Sequence, residues 1–172
     1  MIMSESSLLE GKKILIVDDE TDILEVMEEL LAGCILETAT TFNEARELLE
    51  SQDFDLAILD IMGVDGYKLL DIANERKIPA LMLTAHAFTP DNIVRSIKQG
   101  AVSYVPKDEI RNIREFLIDI IKAREEGRNP WESWQGRLPT SYFEKRFGAT
   151  WQDADKEFWE TFRAGLRDRK KE

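Results

Sequence analysis

Cysteine and histidine occur once each in the 172 residues, as Cys34 and His86. A lone cysteine excludes an internal disulfide and a zinc site built on cysteines. In Gly33-Cys34-Ile35-Leu36 it reads as a small apolar residue bound for the interior rather than a reactive thiol. No uninterrupted run of about 18 apolar residues occurs, so no transmembrane span is expected. The opening Met1-Ile2-Met3-Ser4-Glu5 lacks a basic stretch leading into an apolar one. No secretory signal is therefore expected, and the location expected is cytoplasmic. Positive charge is also scarce. The net charge is −11, with 12 Lys and Arg against 24 Asp and Glu in residues 1–122, and 11 against 10 in residues 123–172. Such a body repels a phosphate backbone. The one basic cluster, Arg163, Arg167, Arg169, Lys170 and Lys171, lies where fraying is the default, so DNA binding is not expected.

What the sequence does hold is a regular alternation. Short, nearly continuous apolar runs occur at Lys13-Ile14-Leu15-Ile16-Val17, Ile35-Leu36-Glu37-Thr38-Ala39, Phe54 to Leu59, Ala80-Leu81-Met82-Leu83 and Ser103-Tyr104-Val105. Unbroken runs suit parallel strands buried on both faces. Between them lie helix-period segments. Thr21 to Leu31 places Ile23, Leu24, Met27, Leu30 and Leu31 on one side, with Glu25, Glu28 and Glu29 on a solvated face. Thr41-Phe42-Asn43-Glu44 has capping-box spacing. A third helix is expected from Tyr67 to Ala73, a fourth from Pro90 to about Gln99, and a fifth from Asp108 to Arg124. Five strand–helix units with short links imply an α/β fold, a five-stranded parallel sheet covered by helices on both faces.

In such a sheet the ligand site lies beyond the carboxyl ends of the strands. The polar residues at those ends are Asp18, Asp19, Asp60, Thr84 and Lys107. Clustered carboxylates raise one another's pKa unless a cation intervenes. Mg²⁺, which accepts one or two carboxylates plus a phosphate, answers that need, and Mn²⁺ is the other candidate. Asp60 is then the candidate carboxylate nucleophile toward a phosphoryl group. Lys107 would supply a positioned ammonium, and Thr84 a hydroxyl for a phosphoryl oxygen.

The ordered set resembles the receiver domain of two-component response regulators. Ile14 to Glu20 is similar to that family's acidic opening, and Leu59-Asp60-Ile61-Met62 with Asp65-Gly66 to its phosphorylation loop. Leu83-Thr84-Ala85 is similar to its switch segment, and Gly100-Ala101 through Lys107 to its last strand and lysine. The resemblance spans roughly residues 11–124. It implies a flavodoxin-like three-layer (βα)5 fold with strand order 2-1-3-4-5. It implies phosphorylation of Asp60 by a histidine kinase or phosphotransfer protein, and no separate substrate turnover. Metal binding would fall to Asp18 or Asp19, Asp60 and the backbone carbonyl of Met62. Thr84 and Lys107 would contact the phosphate, Tyr104 would switch between inward and outward positions, and His86, on the rim, is a candidate modulator. Dimerisation through the fourth and fifth helices or the tail is a further expectation. Two departures stand out: the loop from Asp60 to Gly66 is about two residues short and lacks proline, and Asp108 rather than proline follows Lys107. A trans bond is expected there, since a cis bond without proline costs about 2.5–4 kcal/mol. The alternative reading is an interaction scaffold that no longer switches.

The division expected is a receiver over residues 11–126 and a helical extension over 127–172. Gly127-Arg128-Asn129-Pro130 breaks the fifth helix. Nine of the fifteen aromatic residues follow it. A short helix from about Pro139 to Phe147 and another starting near Thr150 are expected. So few residues cannot bury that many aromatics alone, so the extension should dock on the receiver or on another subunit.

Overall fold

The structure is a computed structural model that describes residues 5–85 and 88–171. Its five parallel strands are β1 (Lys13–Val17), β2 (Ile35–Ala39), β3 (Leu56–Asp60), β4 (Ala80–Thr84) and β5 (Ser103–Pro106). They stand in the order β2-β1-β3-β4-β5, with Val17 beside both Ala39 and Leu59, Asp60 beside Leu83, and Thr84 beside Pro106. Every residue of β3 and β4 is buried, as their unbroken apolar composition requires.

The helices linking the strands are α1 (Thr21–Leu30), α2 (Phe42–Ser51), α3 (Gly66–Glu75), α4 (Pro90–Lys98) and α5 (Ile113–Glu126). Thr41 caps α2 by accepting from the Glu44 amide, and Thr89 caps α4 by accepting from the Asn92 amide just ahead of a first-turn proline. The fifth helix departs from expectation at its start. Residues Lys107–Asn112 form a 3-10 helix, and α5 begins only at Ile113. Neither start has a side-chain cap, and i→i+3 bonds satisfy amides that a regular first turn would leave bare.

The C-terminal segment forms α6 (Pro130–Arg137), α7 (Thr140–Phe147) and α8 (Lys156–Lys171). Pro130 does more than break a helix. It occupies the first turn of α6, whose Asn129 cap accepts from the Trp131 amide. The helix expected from Thr150 begins later: a 3-10 turn at Asp153–Asp155 precedes α8.

This segment lies against the sheet and its helices. β2 and β5 are the two sheet edges, yet β2 is partly exposed and β5 is wholly buried. The difference is α6. The Trp131 indole donates to the Ala101 carbonyl at 3.0 Å and the Trp134 indole to the Tyr104 carbonyl at 2.7 Å, both bonds buried. The β5 edge of the sheet is thereby covered. Arg137 fastens α6 to Asp119 of α5 at 2.7 Å, and Lys98 of α4 stands 5.3 Å over the Phe158 ring of α8. The aromatics merge with the core of the sheet through Trp131, Trp134, Phe143, Trp151 and Trp159. Cys34 is only partly buried, not interior. Its thiol donates to the Leu9 carbonyl at 3.4 Å, and burial pushes its pKa up. Among the described residues no helix is long and apolar enough to cross a membrane.

Candidate functional site

The crevice forms where β1, β3, β4 and β5 end. Asp18 follows β1 directly, Asp60 and Thr84 close β3 and β4, and Lys107 follows β5. All but Asp19 of the five residues singled out by sequence are withdrawn from solvent. Asp18 is 0% exposed, Asp60 5% and Thr84 1%. Lys107 lies between the carboxylates, its Nζ 2.9 Å from Asp18 Oδ2 and 3.6 Å from Asp60 Oδ2. It also lies 3.5 Å from Glu20 Oε1. Glu20 is the member that sequence reasoning missed. The signal was the third consecutive carboxylate of Asp18-Asp19-Glu20 at a strand end.

Two glycines shape the loop that carries Asp60. A Cβ at Gly66 would run into the backbone carbonyl of Asp60, so only glycine lets α3 start this close to β3. Asp65 before it adopts the left-handed conformation, with φ 59°. Gly63, with φ +87°, lies against the Asp19 carboxylate, and a Cβ there would displace it. The shortened loop thus brings exposed Asp19 to the mouth of the crevice. Met62 lies in this loop with its side chain 54% exposed. His86 lies outside the described residues. Among the described residues no peptide bond is cis, so Lys107–Asp108 is trans as expected.

Negative charge dominates the crevice. Burial first, then the Asp18 carboxylate, raises the Asp60 pKa from the ordinary 3.8 to about 7, with Asp19 and Glu20 adding to the rise and Lys107 opposing it. Burial disfavours the charged form of Lys107, but its contact with Asp18 and the charges of Asp60, Asp18 and Glu20 outweigh this and raise its pKa. Asp18, Asp19 and Glu20 each offer an oxygen within 4.8 Å of the others. Asp18 is fully buried, and its Oδ2 faces the Lys107 ammonium at 2.9 Å. An all-oxygen, acceptor-rich cluster fits a hard divalent cation. This cluster differs from the expected metal set in including Glu20 and in containing neither Asp60 nor Met62.

Thr84 and Tyr104 meet. Tyr104 is 0% exposed, and its hydroxyl is bonded to the Thr84 side chain and the Thr89 backbone. Burial raises its pKa far above the ordinary tyrosine value. Tyr67, on α3, is bound through its hydroxyl to Asn92 and Ser96 of α4, each within 3.1 Å.

Comparison with known proteins decides the family. The response regulator receiver domain model matches residues 14–118. The chain belongs to that family. The chain is 32% identical over 131 residues to the two-component response regulator ARR10 of Arabidopsis thaliana, covering 69% of this chain and 23% of that one. It is 34% identical over 120 residues to the response regulator protein PilR of Pseudomonas aeruginosa, covering 66% of this chain and 27% of that one. The chain therefore spans about a quarter of the curated relatives it matches. Among solved structures, the CheY-like receiver domain protein of Methanospirillum hungatei JF-1 aligns with TM-score 0.62 and 30% identity, over 69% of this chain and 99% of that one. The receiver fold and its two-component signalling class are thus those of this chain, and the matched residues end within α5, before the tail.

Proposed function

We propose that this receiver is a Mg²⁺-dependent phosphoacceptor that takes a phosphoryl group from the phosphohistidine of a kinase or phosphotransfer protein in the cytoplasm. The observation that carries the reading is the Asp60 carboxylate, buried at a strand end with the Lys107 ammonium 3.6 Å away. An Asp60 oxygen attacks phosphorus, the P–N bond breaks, and the imidazole leaves and takes a proton. The carboxylate displaces the partner's nitrogen without a separate base, because a carboxylate needs no deprotonation once Asp60 is ionised. Lys107 and the Thr84 hydroxyl take the charge on the phosphoryl oxygens. Asp18, Asp19 and Glu20, with Asp60 itself and the Met62 carbonyl, are the residues that would hold Mg²⁺ or Mn²⁺. The ion supplies charge neutralisation and orients the phosphoryl oxygens when bound. Water attack on the acyl phosphate resets the module, and no other substrate is turned over. Thr84 and Tyr104, joined by a hydrogen bond, support a response at the protein surface.

One observation favours a second reading, a constant scaffold. The side built from α4 and α5, expected as a dimer surface, carries the chain's own α6 and α8. Incubation with phosphoramidate and Mg²⁺ separates the two. The phosphoacceptor reading expects one added phosphoryl group by intact mass, abolished by chelator. An unchanged mass under both conditions rejects it and leaves the scaffold.

A further inference from the structure

The two chain segments that close the crevice both run into α7. Phe88, four residues beyond Thr84, stacks on Tyr104 with ring centroids 6.0 Å apart and planes at 25°. Its other neighbours are Tyr142, Phe143 and Phe147 of α7, at 6.2, 6.0 and 5.1 Å. The Arg146 guanidinium covers the same ring at 5.3 Å. Arg146 also binds Asp108 at 2.7 Å, and Asp108 directly follows Lys107. One helix therefore holds the chain just beyond Thr84 and just beyond Lys107.

The tail is not attached evenly. α6 is fixed by two buried indole bonds to backbone carbonyls. The polar hold of α7 is open to solvent, with the Arg146 and Asp108 side chains 39% and 68% exposed. The same Arg146 guanidinium lies 4.9 Å over the Tyr142 ring and meets its hydroxyl. An exposed ion pair is a weaker hold than two buried hydrogen bonds, so α7 gives way before α6.

We propose that α7 is a releasable clamp on the phosphorylation site, docked when Asp60 is free and loosened when Asp60 carries a phosphoryl group. The proposal rests on the phosphoacceptor reading. A phosphoryl group competes for the Thr84 hydroxyl, which now bonds Tyr104, and for the Lys107 ammonium, which now pairs with Asp18 and Glu20. Movement of Thr84 disturbs the Tyr104–Phe88 stack, and movement of Lys107 carries Asp108 away from Arg146. The coupling must be reciprocal, so a weakened clamp makes phosphoryl uptake easier.

Hydrogen exchange of the full chain with Mg²⁺, with and without a beryllofluoride mimic, reads the clamp directly. The mimic should accelerate exchange in residues 140–147 several-fold, leave α6 unchanged, and have no effect in Asp60→Asn. Arg146→Ala removes only an exposed side chain and should raise the rate of labelling by phosphoramidate several-fold, with an unaltered circular dichroism spectrum. All four tryptophans lie in the tail, so their fluorescence gives an independent record of the same step. If phosphoramidate labels Asp60 but the mimic leaves α7 exchange unchanged or slower, the clamp is wrong and the phosphoacceptor reading stands. Wild-type labelling of Arg146→Ala also overturns the clamp. If Asp60 takes no label at all, both readings fall together.

Discussion

Asp60 shares its crevice with Asp18, Asp19 and Glu20, and the Lys107 ammonium does not cancel their charge. Its raised pKa makes stability depend on pH in a definite direction. The folded protein holds this proton more tightly than the unfolded chain does. The resulting stabilisation is full below the unfolded value near 3.8 and is lost as pH rises through about 7. Asp60→Asn never ionises and escapes the loss. At about 1.4 kcal/mol per pKa unit, it should stabilise the metal-free protein by roughly 2–4 kcal/mol at pH 8 and by less at pH 5. Urea unfolding in chelator at both pH values checks this, and an equal gain at each would contradict it. The same proton competes with a cation, so apparent Mg²⁺ affinity in a titration should rise from pH 6 to pH 8. Gly66 gives a steric prediction. Gly66→Ala drives a methyl into the Asp60 carbonyl and should cost roughly 1–3 kcal/mol in a denaturant titration.

At the scale of elements, the strands and the helices between them were legible because their apolar runs and caps are local signals. Thr41 with Glu44, Thr89 with Pro90, and the uninterrupted β3 and β4 are examples. The 3-10 start of the fifth helix was not legible, because its residues carry the same apolar spacing as the helix they precede. The break of the fifth helix at Gly127 was read correctly, but α6 beyond it was missed, because a proline after one helix is equally suited to the first turn of the next. The tryptophans of α6 announced a buried contact but not its target. That target, the carbonyls of Ala101 and Tyr104 at the β5 side of the sheet, exists only once the sheet is assembled. Trp134→Phe keeps the ring but removes the indole donor to the Tyr104 carbonyl, and should cost about 0.5–1.5 kcal/mol of unfolding free energy. A cost near zero would mean that another donor reaches this carbonyl.

Across the whole molecule, the site's members come from four strand ends spread along the sequence, and the parallel topology alone assembles them. Their convergence could be read in advance, because a strand end in a parallel sheet is a fixed address. Glu20 was harder to assign, since the first turn of a helix is also an ordinary place for a carboxylate. Thermal unfolding followed by tryptophan fluorescence should coincide with that followed by far-ultraviolet circular dichroism, because the tail shares one core with the sheet. An earlier fluorescence transition would mark the tail as a separate unit.

The central claim concerns where the phosphoryl group goes. Borohydride reduction of the phosphoramidate-treated protein converts an aspartyl phosphate to homoserine, which peptide mass spectrometry locates. The account predicts homoserine at position 60 alone, dependent on Mg²⁺. Homoserine at another aspartate, or none despite Mg²⁺ and excess donor, would contradict it.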